Sequence, residues 1–129
     1  RTFSEPGDQV IVQTPVYYPF FYAIERNGRR ILDNHLLFDN GQYRMDLDDL
    51  KRKITHRTRM VLLCSPHNPI GRVWREEELR RLGELCLERD ILVVSDEIHH
   101  DLVYRGFKHV PFPTLSRVRR QCHRLHRGF

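Results

Sequence analysis

Nowhere in the 129 residues does an apolar run approach the roughly 20 residues needed to span a bilayer. The opening Arg1-Thr2-Phe3-Ser4-Glu5-Pro6-Gly7-Asp8 has neither the apolar core of a secretory leader nor an initiator methionine. No membrane association is expected, and the chain reads as a piece of something longer. Cysteine is scarce: Cys64, Cys86 and Cys122 are widely spaced and form no Cys-x-x-Cys pair. That excludes a disulfide framework and a zinc knuckle, and it fits a reducing, cytoplasmic setting. Acidic residues are missing only from the tail, where Arg117, Arg119, Arg120, Arg124 and Arg127 carry the whole net charge of +5. Subtracting those five from the 22 basic residues leaves 17 against 17 acidic ones, so residues 1–116 are formally neutral. A basic tail of this kind is no nucleic-acid signature for the body of the protein, and no nucleic-acid partner is expected.

What is present alternates. Asp8–Thr14 is a β-branched run that stops at Pro15. Pro19 suits a first helical turn, with Phe20, Ala23 and Ile24 on one face and Asn27-Gly28 to end the helix. A weaker extended segment spans Arg30–Phe38. Asp46 is placed to cap a second helix, with Leu47, Leu50 and Ile54 as its apolar stripe and Lys51 and Lys53 toward its carboxyl end. Met60–Cys64 and Ile91–Val94 are continuous apolar runs, the pattern of strands buried on both faces. Between them, Arg75–Arg89 carries Leu79, Leu82 and Cys86 on one helical face, with Glu76–Arg80 and Glu77–Arg81 as i,i+4 pairs on the other. This βαβαβαβ order predicts an α/β fold, a mostly parallel sheet with helices on both faces.

In such sheets ligands collect beyond the carboxyl ends of the strands. Three clusters fall at such ends: Thr14-Pro15-Val16-Tyr17, Ser65-Pro66-His67-Asn68-Pro69-Ile70-Gly71, and Ser95-Asp96-Glu97-Ile98-His99-His100-Asp101. Asp96, after Ile-Leu-Val-Val, is expected to be partly buried and to need a cation or several donors; bracing a loop or capping a helix is the equally common alternative. Asn68 either hydrogen-bonds a ligand or closes an Asx turn, and taken alone the turn is commoner. Tyr17 either stacks on a flat ring or packs against the first helix. His99, His100 and Asp101 lack a third ligand at metal spacing, and adjacent histidines on an extended segment diverge, so no metal site is expected. His67 and His35 read as loop or surface residues. Glu97 and Tyr104 could each line a cleft, but nothing in their spacing requires it.

Together these clusters resemble the fold-type I pyridoxal-phosphate enzymes of the class I/II aminotransferase superfamily. Asn68 with Pro69 and Gly71 is similar to the family's Asn-Pro-x-Gly, whose asparagine hydrogen-bonds the cofactor's phenolic oxygen. Asp96 in Ser-Asp-Glu resembles the aspartate that pairs with the pyridinium nitrogen, and Tyr17 in Thr-Pro-x-Tyr falls where an aromatic ring stacks on the cofactor. His99 occupies a position that is a tyrosine in many aminotransferases. That histidine, within Ser-Asp-Glu-Ile-His-x-Asp-Leu-Val-Tyr, resembles the cystathionine β-lyase branch, as do Gly106-Phe107-Lys108-His109, Pro111-Phe112 and Leu115-Ser116. The resemblance implies pyridoxal 5′-phosphate as cofactor, a sulfur amino acid as small-molecule substrate, β-elimination to thiol, pyruvate and ammonia, and a homodimeric full-length parent.

The pattern breaks after Ser116. The family continues with a strand and a Ser-x-x-Lys motif whose lysine forms the Schiff base, and no such motif exists here: the only lysines are Lys51, Lys53 and Lys108. Residues 1–116 are therefore expected to be a partial cofactor-binding large domain without a catalytic lysine. Residues 117–129 are expected to be a non-native or out-of-frame basic tail, and the chain alone to be inactive. The alternatives are an aminotransferase fragment, a non-catalytic binding remnant of the fold and, last, a metal-dependent hydrolase using His99, His100 and Asp101.

Overall fold

A computed structural model describes residues 3–115 and the backbone of a strand at 122–125. Ser116, Arg117, Arg119, Arg120 and Arg127 lie outside the described residues, and of Arg124 only the backbone is described. The elements are β1 (Gln9–Val12), α1 (Pro19–Glu25), β2 (Arg30–Asp33), β3 (Leu37–Asp39), β4 (Gln42–Arg44), α2 (Leu47–Lys53), β5 (Thr58–Cys64), α3 (Glu76–Glu88), β6 (Leu92–Asp96), a single 3-10 turn at Phe112–Thr114, and β7 (Cys122–Leu125). Five strands pair in the order β2-β1-β5-β6-β7, every pair parallel.

Strand alternation sorts the core onto two faces. Ile11, Leu32, Val61, Leu63 and Val93 point to one side, where they meet Leu47 and Leu50 of α2 and Leu79, Leu82, Leu85 and Cys86 of α3. Val10, Val12, Ile31, Met60, Leu62 and Cys64 point to the other side, against Phe20 and Ile24 of α1. Helices thus cover both faces, and the second face is thinner, with Met60 and Leu62 only partly buried. Among the described residues no helix is long and apolar enough to cross a membrane.

Local chemistry explains the helix ends. Asp46 caps α2 by accepting from Asp49 N at 2.9 Å, and Lys51, Arg52 and Lys53 complement its carboxyl end. Pro19 opens α1, and Gly28 takes a φ of 72° just past its end. Ala23 is exposed, so the buried stripe of α1 is Phe20 and Ile24 alone. On α3, Arg80 pairs forward with Glu84 at 2.9 Å and not back with Glu76. The extended segment expected over Arg30–Phe38 divides in two, because β2 joins the main sheet and β3 turns back into β4. Asn40 (φ 49°) and Gly41 (φ 75°) make that turn, the Asn-Gly signature of a tight hairpin.

Candidate functional site

All five parallel strands bring their carboxyl ends to one edge, so the three clusters leave neighbouring strands β1, β5 and β6 side by side. Hydrogen bonds tie them together. His67 Nε2 lies 2.9 Å from the Pro15 carbonyl, and Ser65 N donates to the Asp96 carbonyl at 2.9 Å. Thr14-Pro15, Ser65-Pro66 and Asn68-Pro69 are cis peptides.

Asp96 ends β6, half-buried, opposite Cys64 in register. Its Oδ1 accepts from Ile98 N at 3.2 Å, and among the described residues no cation pairs with it. Burial pushes the Cys64 thiol up to about 11, with the Asp96 charge adding to the effect. Asn68 closes no Asx turn. Its backbone N–H donates to Cys64 Sγ at 3.3 Å, and its side-chain amide makes no hydrogen bond among the described residues. Asn68 and His99 line a cleft of about 880 Å³, shared with Tyr43, Arg72, Asp101 and Tyr104. Tyr17 and Asp96 are not among its lining residues. Tyr17 is 43% exposed and leans edge-on against Phe20 at 6.0 Å, so it packs on α1 with one edge and keeps ring surface open.

Two buried residues carry more of the architecture than their sequence context suggested. His67 is not at the surface: it is 1% exposed, packs edge-on against Trp74 at 5.4 Å, and burial holds its imidazole below the ordinary range. Glu97 is no cleft residue. Fully buried, it accepts from Ser95 Oγ (2.9 Å) and Phe112 N (2.8 Å) and faces His109 Nε2 at 3.4 Å. It therefore pins the far end of the loop that carries His99 and Tyr104. His100 folds back onto the Glu97 carbonyl at 2.8 Å, and the segment is a turn instead of an extended run. His35, exposed as expected, meets Thr14 Oγ1 at 2.7 Å.

The donor set fits a flat heterocycle with a cationic nitrogen and an acceptor oxygen. Among the described residues, a carboxylate without a cation stands at one strand end, an amide without a hydrogen bond on the loop from the next, and an open aromatic face on the loop from the third. Of the lysines, Lys53 is occupied with the Asp33 carbonyl (2.9 Å) and Asp49 (2.7 Å), Lys51 is exposed on α2, and Lys108 is exposed in the loop. None of the three lines the cleft.

This arrangement of sheet and loops has known counterparts, and the family model for aminotransferase class I and II matches residues 1–125: the chain belongs to that family. It is 54% identical over 117 residues to the cystathionine beta-lyase PatB of Bacillus subtilis (strain 168), covering 90% of this chain and 30% of that protein. It is 40% identical over 116 residues to an aspartate aminotransferase of the same organism, covering 90% of this chain and 29% of the relative. Among solved structures, cystalysin from Treponema denticola, which contains a pyridoxal 5′-phosphate cofactor, superposes with a TM-score of 0.89 at 41% identity, covering 93% of this chain and 31% of that one. The chain spans about 30% of the length of the curated relatives it matches.

Proposed function

We propose that these residues form part of the cofactor-binding domain of a pyridoxal-phosphate-dependent carbon–sulfur β-lyase. The observation that carries the reading is Asp96, a carboxylate at a strand end with no cation among the described residues, one loop away from an uncommitted Asn68 amide. Bound pyridoxal phosphate would supply an electron sink for the charge that develops at the substrate Cα. Asp96 would hold the proton on the ring nitrogen, which strengthens that sink. The Asn68 amide would donate to the phenolic oxygen, His99 would sit beside it, and Tyr17 would cover one ring face. The reaction removes the Cα proton and releases a thiolate from Cβ, and one water hydrolyses the three-carbon remainder, so the products are a thiol, pyruvate and ammonia. By itself the chain is expected to bind but not turn over, because none of Lys51, Lys53 and Lys108 lines the cleft. The free thiols accord with a reducing, cytoplasmic setting, and the full-length parent is expected to be a homodimer.

The lyase reading is favoured over the aminotransferase reading by His99 and by the 54% identity to a cystathionine β-lyase. The test is a chimera in which residues 1–116 replace the aligned segment of the Bacillus subtilis PatB protein. Release of pyruvate from cystathionine is expected to predominate over transamination. A folded, cofactor-loaded chimera that transaminates and does not eliminate would overturn the assignment.

A further inference from the structure

Asn68 stands near the tip of a turn that is closed at its neck by backbone bonds, His67 N to Arg72 O and Gly71 N to His67 O, both 2.8 Å. The tip itself has little to hold it, since Pro69 and Gly71 are exposed and Ile70 is only partly buried. The neck is held by its two side chains. His67 reaches down to the Pro15 carbonyl, and Arg72 reaches sideways. The Arg72 guanidinium makes a two-pronged contact with Glu78, Nη2 lying 2.7 and 2.9 Å from the two carboxylate oxygens. Its Nη1 donates to Val73 O at 2.6 Å and its Nε to Tyr43 O at 3.0 Å, while the group lies over the Trp74 ring at 5.0 Å. Glu78 also accepts from Arg75 N at 2.8 Å, so the carboxylate is fixed to the first turn of α3. Tyr43 belongs to β4, and the hairpin stretch Gly41–Tyr43 lines the same cleft as Asn68.

We propose that Arg72 is a positioning residue that fastens both the Asn68 turn and the β3–β4 hairpin to the start of α3, so that one guanidinium sets the shape of the cleft that Asn68 lines. The inference rests on the reading that Asn68 serves the cofactor. The planar fork is what the position requires. A lysine ammonium keeps the charge but cannot bind the carboxylate, the Tyr43 carbonyl and the indole face together.

The experiment is Arg72→Lys in the full chain, with Glu78→Gln as a second break of the same fork should the first variant fail to fold. Amide hydrogen exchange is expected to quicken together in peptides covering 67–73 and 41–44, with β5 and β6 unchanged. Quickening in only one segment, or in neither, overturns the clamp whether or not cofactor binds. Titration with pyridoxal phosphate, read by visible circular dichroism, is expected to show affinity about tenfold weaker in Arg72→Lys. In an Asn68→Ala background the same change should have no further effect. Additive losses would mean that Arg72 does not act through Asn68. A wild-type chain that binds no pyridoxal phosphate would contradict the cofactor reading, and the exchange pattern would still decide the clamp.

Discussion

Replacing Trp74 by phenylalanine should cost about 3 kcal/mol of stability, because the indole does three things at once. It is 1% exposed, and its Nε1 donates to the Cys64 carbonyl at 3.0 Å, at the end of β5. It also carries the His67 ring edge-on and lies under the Arg72 guanidinium. Phenylalanine leaves the Cys64 carbonyl short of a buried donor, about 1–3 kcal/mol. The deleted ring atoms remove roughly 40 Å² of buried apolar surface, about 1 kcal/mol at 25 cal/mol per Å². The weaker cation–π contact loses roughly 0.5 kcal/mol more. With a urea slope of about 1–3 kcal/mol per molar, the midpoint should fall by roughly 1–3 M. Trp74 is the single tryptophan, so far-UV circular dichroism is the probe for both proteins. A loss below about 1 kcal/mol would refute the view that the indole is the junction beneath the Asn68 turn.

Asp96→Asn should weaken pyridoxal-phosphate uptake at least about tenfold while changing the urea midpoint little, because asparagine keeps an acceptor for Ile98 N; equal affinities in an absorbance titration would remove Asp96 from the site. Burial raises the Cys64 thiol to about 11 and the Cys86 thiol to about 12, so both should resist alkylation at pH 8 in the native chain and react in urea. Peptide mapping that finds either one labelled natively would contradict the described core. His67 is held below its unfolded value of about 6.5 by burial, so the unfolded state takes up its proton first. Stability should therefore fall as pH drops from about 6.5 through the folded value, and His67→Gln should flatten that part of the profile; an unchanged slope in urea titrations across pH 5–7 would show that His67 is not the group responsible.

Where the sequence was easily read, a single local force dominated. The apolar runs Met60–Cys64 and Ile91–Val94 become the central strands β5 and β6, with boundaries shifted by a residue or two, because burial on both faces leaves a continuous signal. Asp46 caps α2 because a short acceptor before an apolar stripe has one favourable use there. The hairpin leaves little trace in the sequence beyond Asn40-Gly41, since its strands are only three residues each and mostly exposed. Side-chain partners were less legible. Arg80 could reach Glu76 or Glu84 at equal spacing, and in the folded chain it pairs with Glu84. The motifs single out Asn68, Asp96 and His99 as candidates along the chain. The frame around them depends on contacts between residues far apart in sequence: His67 with Pro15, Arg72 with Tyr43, Glu97 with Phe112. No local pattern encodes those, which is why the sequence leaves the place of Glu97 open and puts His67 in a loop without showing that it is buried.

The most direct test of the account is to bind pyridoxal phosphate to the 129-residue chain at near-equimolar ratio, reduce with borohydride, and map the products by peptide mass spectrometry. The account predicts a visible circular-dichroism signal that is lost in Asp96→Asn, cofactor that dialyses away after reduction, and no stoichiometric reduced adduct. A stoichiometric adduct on Lys51, Lys53 or Lys108, or a chain that gives no cofactor signal at all, would contradict it.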